Sequence, residues 1–209
     1  TGVQTCALPI SIAQQVLKAG SATSYDEVNG FTPIVQTGTQ PLFIATGSGV
    51  GAKDLKELVA QSKTKALTYA SPGSGLHILG EMFNKSADVK IGHVPYRGIA
   101  PAVTDVLGGH VPIIYTTYGP AAPYLANGKM NLLAVADAQR SVLAPNVPTL
   151  AELGYKGVEV GAWQGIFGPK GLPPEITKTL NTHLNEILKM PDVASKMAVL
   201  GALPGGGEP

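Results

Sequence analysis

Hydrophobic and polar residues along the chain follow two spacings. Short apolar runs predict β-strands, and segments with apolar residues three or four positions apart predict amphipathic helices. Strands are expected at residues 31–36, 41–46, 67–70, 90–94, 111–115 and 132–136, with a further extended segment at 160–167. Helices are expected at residues 53–62, 76–84, 100–107, 121–126 and 191–201, and another follows Pro173. Strands that alternate with helices of about ten residues predict an α/β fold of βαβ units with a mostly parallel sheet.

The clearest helix begins at Pro173 and Pro174, because proline is favoured at the first helical position. Its apolar residues recur at helical spacing and therefore predict one buried face. The residues expected to face the core are Ile176, Leu180, Leu184, Ile187 and Leu188.

The composition limits the classes of protein to which the chain can belong. Hydrophobic residues make up 44% of its 209 residues, enough to build a sizeable core. Lys and Arg number 15 and Asp and Glu 14. The net charge of +1 therefore excludes binding of nucleic acid through a basic surface as the main function. No apolar run approaches the roughly 18 residues of a membrane-spanning helix. One cysteine cannot form an internal disulfide, and the histidines show no i, i+4 pair that would indicate a zinc-binding helix.

The first residues differ from the rest of the chain. Residues 1–11 (TGVQTCALPIS) resemble the in-frame translation of a sequencing-adapter oligonucleotide and show neither strand nor helix spacing. We expect this segment to be an artefact, so Cys6 is not a native residue; the alternative is an irregular N-terminal arm. It is excluded from the fold prediction, and the lack of a signal peptide in this chain carries no information.

A loop rich in serine and glycine, residues 71–75 (SPGSG), lies between the strand at 67–70 and a helix that carries His77. Glycine lets a backbone approach a ligand, and the start of a helix offers unpaired N–H groups and a partial positive charge. Together with the hydroxyls of Ser71 and Ser74, these groups suit a carboxylate or a phosphate. The alternative is an ordinary strand–helix turn with Ser74 as the N-cap. His77 either touches the ligand or packs within the protein.

A second loop of the same kind follows the strand at 90–94. Gly98 permits a tight turn, and Pro101 lies near the start of the next helix. Two such loops after parallel strands place unpaired N–H groups at one edge of the sheet, where ligands of open α/β sheets bind. Arg97 is either a clamp for a carboxylate or a solvated cation. Tyr96 either lines the pocket or packs.

The run Gly47–Ala52 matches the pattern G-x-G-x-x-A of dinucleotide-binding folds. That fold also needs an acidic residue about 20 positions later, and no Asp or Glu lies between Glu57 and Glu81. The run is therefore interpreted as a flexible connection, with nucleotide binding as the alternative.

Catalytic patterns are scarce. No G-x-S-x-G nucleophile elbow occurs. Asp105 lies more than a helical turn beyond the second loop, which favours a solvated or capping role. Trp163, flanked by small residues, lines either a cleft or the core.

Several segments taken together carry a resemblance to a known family. They are residues 69–75 (YASPGSG), 93–102 (HVPYRGIAPA) and 105–111 (DVLGGHV), with further matches at 127–129, 133–135, 140–141, 146–154 and 168–175. In this order they resemble the tripartite tricarboxylate transporter substrate-binding receptors, also called Bug-type periplasmic binding proteins. The resemblance extends roughly from Ser24 to Gly207.

The resemblance implies a two-lobed, periplasmic-binding-protein-like architecture with a cleft between the lobes. Residues 12–46 and 168–209 are expected to be parts of lobe 1, and residues 47–167 a nearly complete lobe 2. The family begins with a secretion signal and an initial βα region and ends with a further helix. The chain is therefore expected to be a fragment that lacks the start of lobe 1 and the C-terminal helix.

The resemblance also implies that the two loops, with the segment after the strand at 111–115, bind the ligand. The expected ligand-binding residues are Ser71, Gly73, Ser74, Gly75, His77, Tyr96, Gly98, Ile99, Ala100, Thr116, Thr117 and Trp163. Thr116 and Thr117 stand where the family often has an Asp-Asn pair, and hydroxyls donate where a carboxylate cannot, which favours an anionic ligand group. No catalytic residue and no metal site are expected.

The implied function is that of a non-enzymatic periplasmic receptor. It captures a small carboxylate for the membrane components of a tripartite transporter, without a cofactor or nucleic acid, and is expected to be a monomer. The alternative is an α/β enzyme acting on a phosphate ester or nucleotide, which would need a base or a metal-binding carboxylate near residues 71–75. A third possibility is a fragment without activity.

Overall fold

The computed structural model describes residues 5–6 and 29–209, with Ser74 described by its backbone alone. These residues belong to two compact units: unit 1 comprises the chain up to Gln40 together with Ala162–Pro209, and unit 2 comprises Pro41–Gly161. The strands are β1 (Thr5–Cys6), β2 (Phe31–Gly47), β3 (Thr68–Ser71), β4 (Gly92–Pro95), β5 (Ile113–Thr117), β6 (Met130–Val135), β7 (Gly161–Pro169) and β8 (Leu203–Pro204). The helices are α1 (Leu55–Ser62), α2 (Ser74–Ala87), α3 (Ile99–Leu107), α4 (Tyr118–Leu125), α5 (Pro174–Leu188) and α6 (Pro191–Val199).

Unit 2 is built on a sheet with the strand order β6-β2-β5-β3-β4. Strand β3 pairs in parallel with both β4 and β5, whereas β2 is antiparallel to both β5 and β6. The predicted α/β class is confirmed, and four of the five strands run in the same direction as expected, but β2 runs against them and makes the sheet mixed. Strand β2, which runs without a break from unit 1 into unit 2, makes both antiparallel pairs of this sheet.

Strand β2 replaces two shorter predicted strands. Residues 37–40 are polar or glycine and predict a break, yet the strand runs unbroken from Phe31 to Gly47. Gly38 and Thr39 pair with Pro204 and Leu203 of β8, so a partner distant in sequence keeps this segment extended. A Cβ atom on Gly38 would lie 2.6 Å from the carbonyl oxygen of Leu203, so this close pairing requires a glycine.

Helices cover both faces of the sheet of unit 2. On one face Ala45, Ala70 and Ile114 pack against the buried face of α3, namely Ala102, Val103 and Val106. On the other face Tyr69 lies against α2 at Gly80. Alternate residues of the strands thus enter two separate apolar layers, as expected for a sheet buried on both faces.

Unit 1 has its own core and a small sheet in which β7 lies between β1 and β2, with β8 also on β2. Ile34 and Val35 of β2 pack against Leu180, Leu184 and Leu188 of α5. The expectation that Ile176 and Ile187 also face the core is wrong, because both are exposed. The buried stripe of α5 follows residues 177, 180, 184 and 188, and both isoleucines lie on the same side of it, roughly 65–85° from its centre.

Candidate functional site

Three strand ends meet at one edge of the sheet of unit 2. Because β3 is parallel to β4 and β5, with Ala70 opposite both Val94 and Ile114, the carboxyl ends of all three strands lie at the same edge. This arrangement confirms the predicted placement of the strand ends. Helices α2, α3 and α4 each begin within a few residues of that edge, which we call the carboxyl edge.

The first loop leads from β3 into α2 through Pro72 and Gly73. Gly73 is the N-cap of α2, with extended backbone angles (φ 175°, ψ 169°), and a Cβ atom there would meet no other atom within 4 Å. Gly75 is half-buried in the first turn of α2. The side chain of Ser74, predicted as a donor or N-cap, lies outside the described part of the structure, within which α2 has no side-chain cap.

Ser71, the last residue of β3, is turned into the protein. Only 1% of it is exposed, and its hydroxyl lies 2.8 Å from Nε2 of His93 on β4. Its carbonyl oxygen accepts the N–H of Tyr96 at 3.1 Å, which ties the end of β3 to the second loop. The sequence analysis did not single out His93. No local pattern indicates this contact, because it depends on the register between β3 and β4, and Ser71 lies just beyond the strand predicted at 67–70.

Two stacked histidine rings lie behind the first loop. The rings of His77 and His93 are 3.9 Å apart between centroids and inclined by 15°. Nε2 of His77 lies 3.6 Å from Oε1 of Glu81, which also accepts the Tyr69 hydroxyl at 2.9 Å. Burial, and then the charge that His77 carries when protonated, lowers the pKa of His93.

Beneath these rings Tyr69 contacts Tyr115 edge to face, with 4.6 Å between the ring centroids. Burial is the main cause that raises the pKa of both phenols, followed for Tyr69 by its hydrogen bond to Glu81. Both tyrosines therefore stay neutral. The hydroxyl of Tyr115 is buried without a hydrogen-bond partner among the described residues.

The second loop, between β4 and α3, is fixed by Tyr96. Its ring packs against the apolar layer beneath α3, and its hydroxyl donates to Asp105 at 2.6 Å. Burial and then this hydrogen bond raise the pKa of Tyr96 to about 12. Asp105 thus holds the loop, a role that the sequence analysis missed because no local spacing links a loop residue to the second turn of the following helix.

The start of α3 is open to solvent. Gly98 is its N-cap, with extended angles (φ 169°, ψ 169°), and a Cβ atom at this position would meet no other atom within 4 Å. Ile99 is half-buried and Ala100 is exposed. Arg97 is exposed and has no hydrogen bond or ion pair within the described ranges, which fits the solvated alternative.

The third segment joins β5 to α4. Thr116 is fully buried, and its hydroxyl donates to the carbonyl oxygen of Thr117 at 3.1 Å, so this side chain points away from solvent. Thr117 is half-buried and is the N-cap of α4, but its hydroxyl does not cap the helix.

Within unit 2, helices α2, α3 and α4 share one property that distinguishes them from α1, although α5 and α6 of unit 1 also have no side-chain cap among the described contacts. None of the three has a side-chain cap among the described contacts, whereas Asp54 caps α1 by accepting the N–H of Glu57 at 2.8 Å. The first N–H groups of a helix have no partner within the helix and carry a partial positive charge. The loops at residues 71–75, 96–101 and 116–119 contain no Asp or Glu that would oppose an anion. The carboxyl edge is therefore electrically suited to an anionic group.

Two other predicted features are not part of the three loops at the carboxyl edge. Trp163, on β7, belongs to unit 1, where its ring is 38% exposed and lies 6.3 Å from that of Phe167. The glycine run Gly47–Ala52 follows the end of β2, which is antiparallel to β5, so it lies at the opposite edge of the sheet from the three loops. A Cβ atom on Gly47 would lie 2.6 Å from the carbonyl oxygen of Val106, so packing explains this glycine without a nucleotide.

The described residues contain no group of three or more His, Cys, Asp or Glu side chains placed to hold a metal ion. Within the same residues, no helix combines the length and the hydropathy that crossing a membrane requires.

Comparison with known proteins agrees with this geometry. The family model described as "Tripartite tricarboxylate transporter family receptor" matches residues 15–204. BugT of Bordetella pertussis is 33% identical over 184 residues, which are 86% of this chain and 56% of BugT. The chain thus spans about half the length of the curated relatives it matches.

Two solved structures with bound ligands are similar to this chain. Rpa4515 of R. palustris, with adipate, is 30% identical with a TM-score of 0.80, over 90% of this chain and 64% of that one. MatC from Rhodopseudomonas palustris, with malate, is 30% identical with a TM-score of 0.76, over 92% of this chain and 66% of that one. Since the family model covers most of the sequence and these neighbours share its fold, the chain belongs to the tripartite tricarboxylate transporter receptor family, a family of periplasmic solute-binding proteins.

Proposed function

We propose that this chain is a receptor that binds a small carboxylate at the carboxyl edge of unit 2. The observation that carries the proposal is the presence of three helix starts without side-chain caps at one edge of one sheet. Backbone N–H groups at a helix start bind anions without needing a basic side chain. The ligand-binding residues proposed for this edge are Gly73, Ser74, Gly75, Gly98, Ile99, Ala100 and Thr117, with Ser71, His77, Tyr96 and Thr116 placed behind them. Trp163 is proposed as a ligand-binding residue of unit 1, separately from this edge.

A carboxylate is favoured over a phosphate by the ligands of similar proteins. The two neighbours with named ligands hold adipate and malate, which are both small dicarboxylates. The glycine run that fits a nucleotide-binding pattern lies at the other edge of the sheet, where packing accounts for Gly47. No described contact favours the enzymatic alternative, and the receptor is proposed to act without catalysis and without a cofactor.

Membership of the family supports a proposal for the partners and the location. We propose that the receptor works in the periplasm as a monomer and delivers its ligand to the membrane components of a tripartite transporter. The two units are proposed to be the two lobes of the family, with the chain representing part of a longer receptor. Because the chain spans about half the length of its relatives, the ligand of the whole protein is a proposal as well.

Isothermal titration calorimetry with adipate, malate and a tricarboxylate tests the proposal. Each acid is paired with its uncharged amide, and inorganic phosphate and a nucleotide serve as further probes. We expect at least one carboxylate to bind and its amide to bind at least about a hundredfold more weakly, because two charge-assisted hydrogen bonds of roughly 1.5–3 kcal/mol each are lost. Binding of phosphate or nucleotide without binding of any carboxylate would support the enzymatic alternative and overturn the proposal.

A further inference from the structure

The starting observation is the set of contacts that His93 makes on the face of the sheet covered by α2. Its ring stacks on that of His77 at 3.9 Å, lies 5.1 Å from that of Tyr69, and places Nε2 2.8 Å from the Ser71 hydroxyl. Ser71 is buried, and among the described contacts His93 is the partner of its hydroxyl. A single side chain of β4 thus holds the last residue of β3.

Through Ser71 this contact reaches two of the three loops at the carboxyl edge. Ser71 is followed directly by Pro72 and the N-cap Gly73, and its carbonyl oxygen holds the N–H of Tyr96 in the second loop. A change in the position of Ser71 therefore moves the starts of α2 and α3 relative to each other. The affinity for an anion bound by both helix starts would therefore depend on the position of Ser71.

The proton on His93 also sets the direction of the hydrogen bond to Ser71. When Nε2 carries a proton it donates to the Ser71 oxygen, and when Nε2 is bare the hydroxyl must donate to it. The protonated ring always has a proton on Nε2. Protonation therefore fixes one orientation of the hydroxyl and adds a positive charge close to the first turn of α2.

The charges around the two rings favour one proton and oppose a second. Two stacked imidazolium rings would repel each other, whereas Glu81 lies 3.6 Å from His77 and attracts one positive charge. An open groove of about 860 Å³ runs from His93 along α2. The charged residues that line it are Lys63, Glu81, Lys85, Asp88 and Lys90. The three lysines oppose a second proton, while the two acids offset only part of their charge.

We propose that His93 is a positioning residue of the ligand site and that the His77–His93 stack takes up a proton when a carboxylate binds at the carboxyl edge. His77 lies in the first turn of α2, so a ligand at the start of that helix is about one turn, or about 5.4 Å, from the stack. An anion at that distance attracts a proton to the stack. This inference rests on the proposed function and adds a proton to the binding step.

The direction of the pH dependence follows from this linkage. A bound carboxylate raises the pKa of His93, which burial holds below its usual value in the free protein. The affinity therefore increases as the pH falls through the pKa of His93. The second carboxyl group of a dicarboxylate gains its proton at a higher pH than an isolated carboxyl, because the first carboxylate repels its charge, so the affinity is referred to the fully charged ligand at each pH.

Calorimetric titration of malate and adipate from about pH 7.5 to about pH 5, in two buffers of different ionisation enthalpy, tests the proposal. We expect the affinity to increase by about threefold to tenfold, which corresponds to a pKa of His93 that is up to about one unit higher in the complex than in the free protein. Binding should also take up protons from the buffer. His93→Gln keeps an N–H donor for Ser71 but leaves only His77 of the stack to titrate, so it should bind at neutral pH with a weaker pH dependence, and the double variant His77→Gln/His93→Gln should give a flat profile. His93→Phe should bind weakly at every pH.

Two further variants distinguish the positioning role of His93 from a general loss of folding or stability. His77→Gln removes the like charge that lowers the pKa of His93, so the rise in affinity should move to higher pH. His183→Gln is the matched control, because His183 in unit 1 also contacts a glutamate, Glu186, at 3.3 Å, and its profile should equal that of the unchanged protein. Thermal unfolding of each variant verifies that it is folded.

The outcomes distinguish this inference from the proposed function. Carboxylate binding with a flat pH profile, or a profile that His93→Gln leaves unchanged, overturns the inference and leaves the proposed function in place. If no carboxylate binds to the unchanged protein at any pH, both fail.

Discussion

Gly98 marks the point at which the protein offers space to a ligand. Its backbone is extended, a conformation open to any residue, and a Cβ atom there would meet nothing within 4 Å. Neither the fold nor local packing therefore requires a glycine at this position. A side chain here would instead occupy the space in front of the first N–H groups of α3.

We therefore expect Gly98→Val to weaken carboxylate binding by about a hundredfold or more, because the added side chain blocks about two charge-assisted hydrogen bonds. Stability should change by less than about 1 kcal/mol, as for other open surface positions. Calorimetry and chemical denaturation measure the two effects.

Gly49→Val is the matched control for this substitution. Gly49 also lies in open space but follows β2 at the opposite edge of the sheet, so its variant should bind normally. Unchanged affinity in Gly98→Val would mean that this residue is only part of a turn.

At the scale of elements, helix α2 is held against β3 by an unusually close approach. A Cβ atom on Gly80 would overlap the ring of the buried Tyr69, which in turn packs on Tyr115 and donates to Glu81. Tyr69 is fully buried and is held in place by these two contacts. Gly80 is thus the residue that lets α2 lie on the sheet and places His77 behind the first loop.

Gly80→Ala should destabilise the protein by about 1–3 kcal/mol, the usual cost of overpacking a core. The roughly 1 kcal/mol that alanine gains over glycine in a helix acts in the opposite direction, but it is the smaller effect. The midpoint of urea unfolding measures the difference. A variant as stable as the parent would show that α2 does not need this close contact.

The order of strands and helices followed from the sequence because apolar spacing and glycine-rich turns are local signals. The first two loops at the carboxyl edge could be predicted for the same reason, whereas the third was implied by the family resemblance. The continuity of β2 could not, since Gly38 and Thr39 are kept extended by β8, more than a hundred positions away. Nor could the bonds from His93 to Ser71 and from Tyr96 to Asp105, which depend on strand register and on how α3 packs.

At the scale of the whole molecule, the two units differ in how deeply their elements are buried. The centre of unit 2 consists of fully buried strand residues such as Phe43, Ile44 and Ile114. In unit 1, α6 buries none of its residues, all of which the structure describes, and Val199 at its end is 78% exposed. Protection from solvent is therefore expected to be uneven along the chain.

Amide hydrogen exchange followed by mass spectrometry should find the slowest exchange in β2 from residue 42 onward, in β3 and in β5. Residues 191–200 should exchange fastest among the helical segments, because local opening there exposes little additional apolar surface. Equal protection of α6 and β5 would contradict this distribution of stability.

The central claim is that a carboxylate binds at three helix starts of unit 2. The most direct test is a nuclear magnetic resonance titration of the ¹⁵N-labelled chain with malate and adipate, following each backbone amide. The largest shifts should occur at the first N–H groups of α2, α3 and α4, including Gly75, Ala100 and Gly119, with saturation at a common ligand concentration. Shifts concentrated at the opposite edge, around Gly47 and Gly51, or the absence of shifts at all three helix starts, would contradict the account.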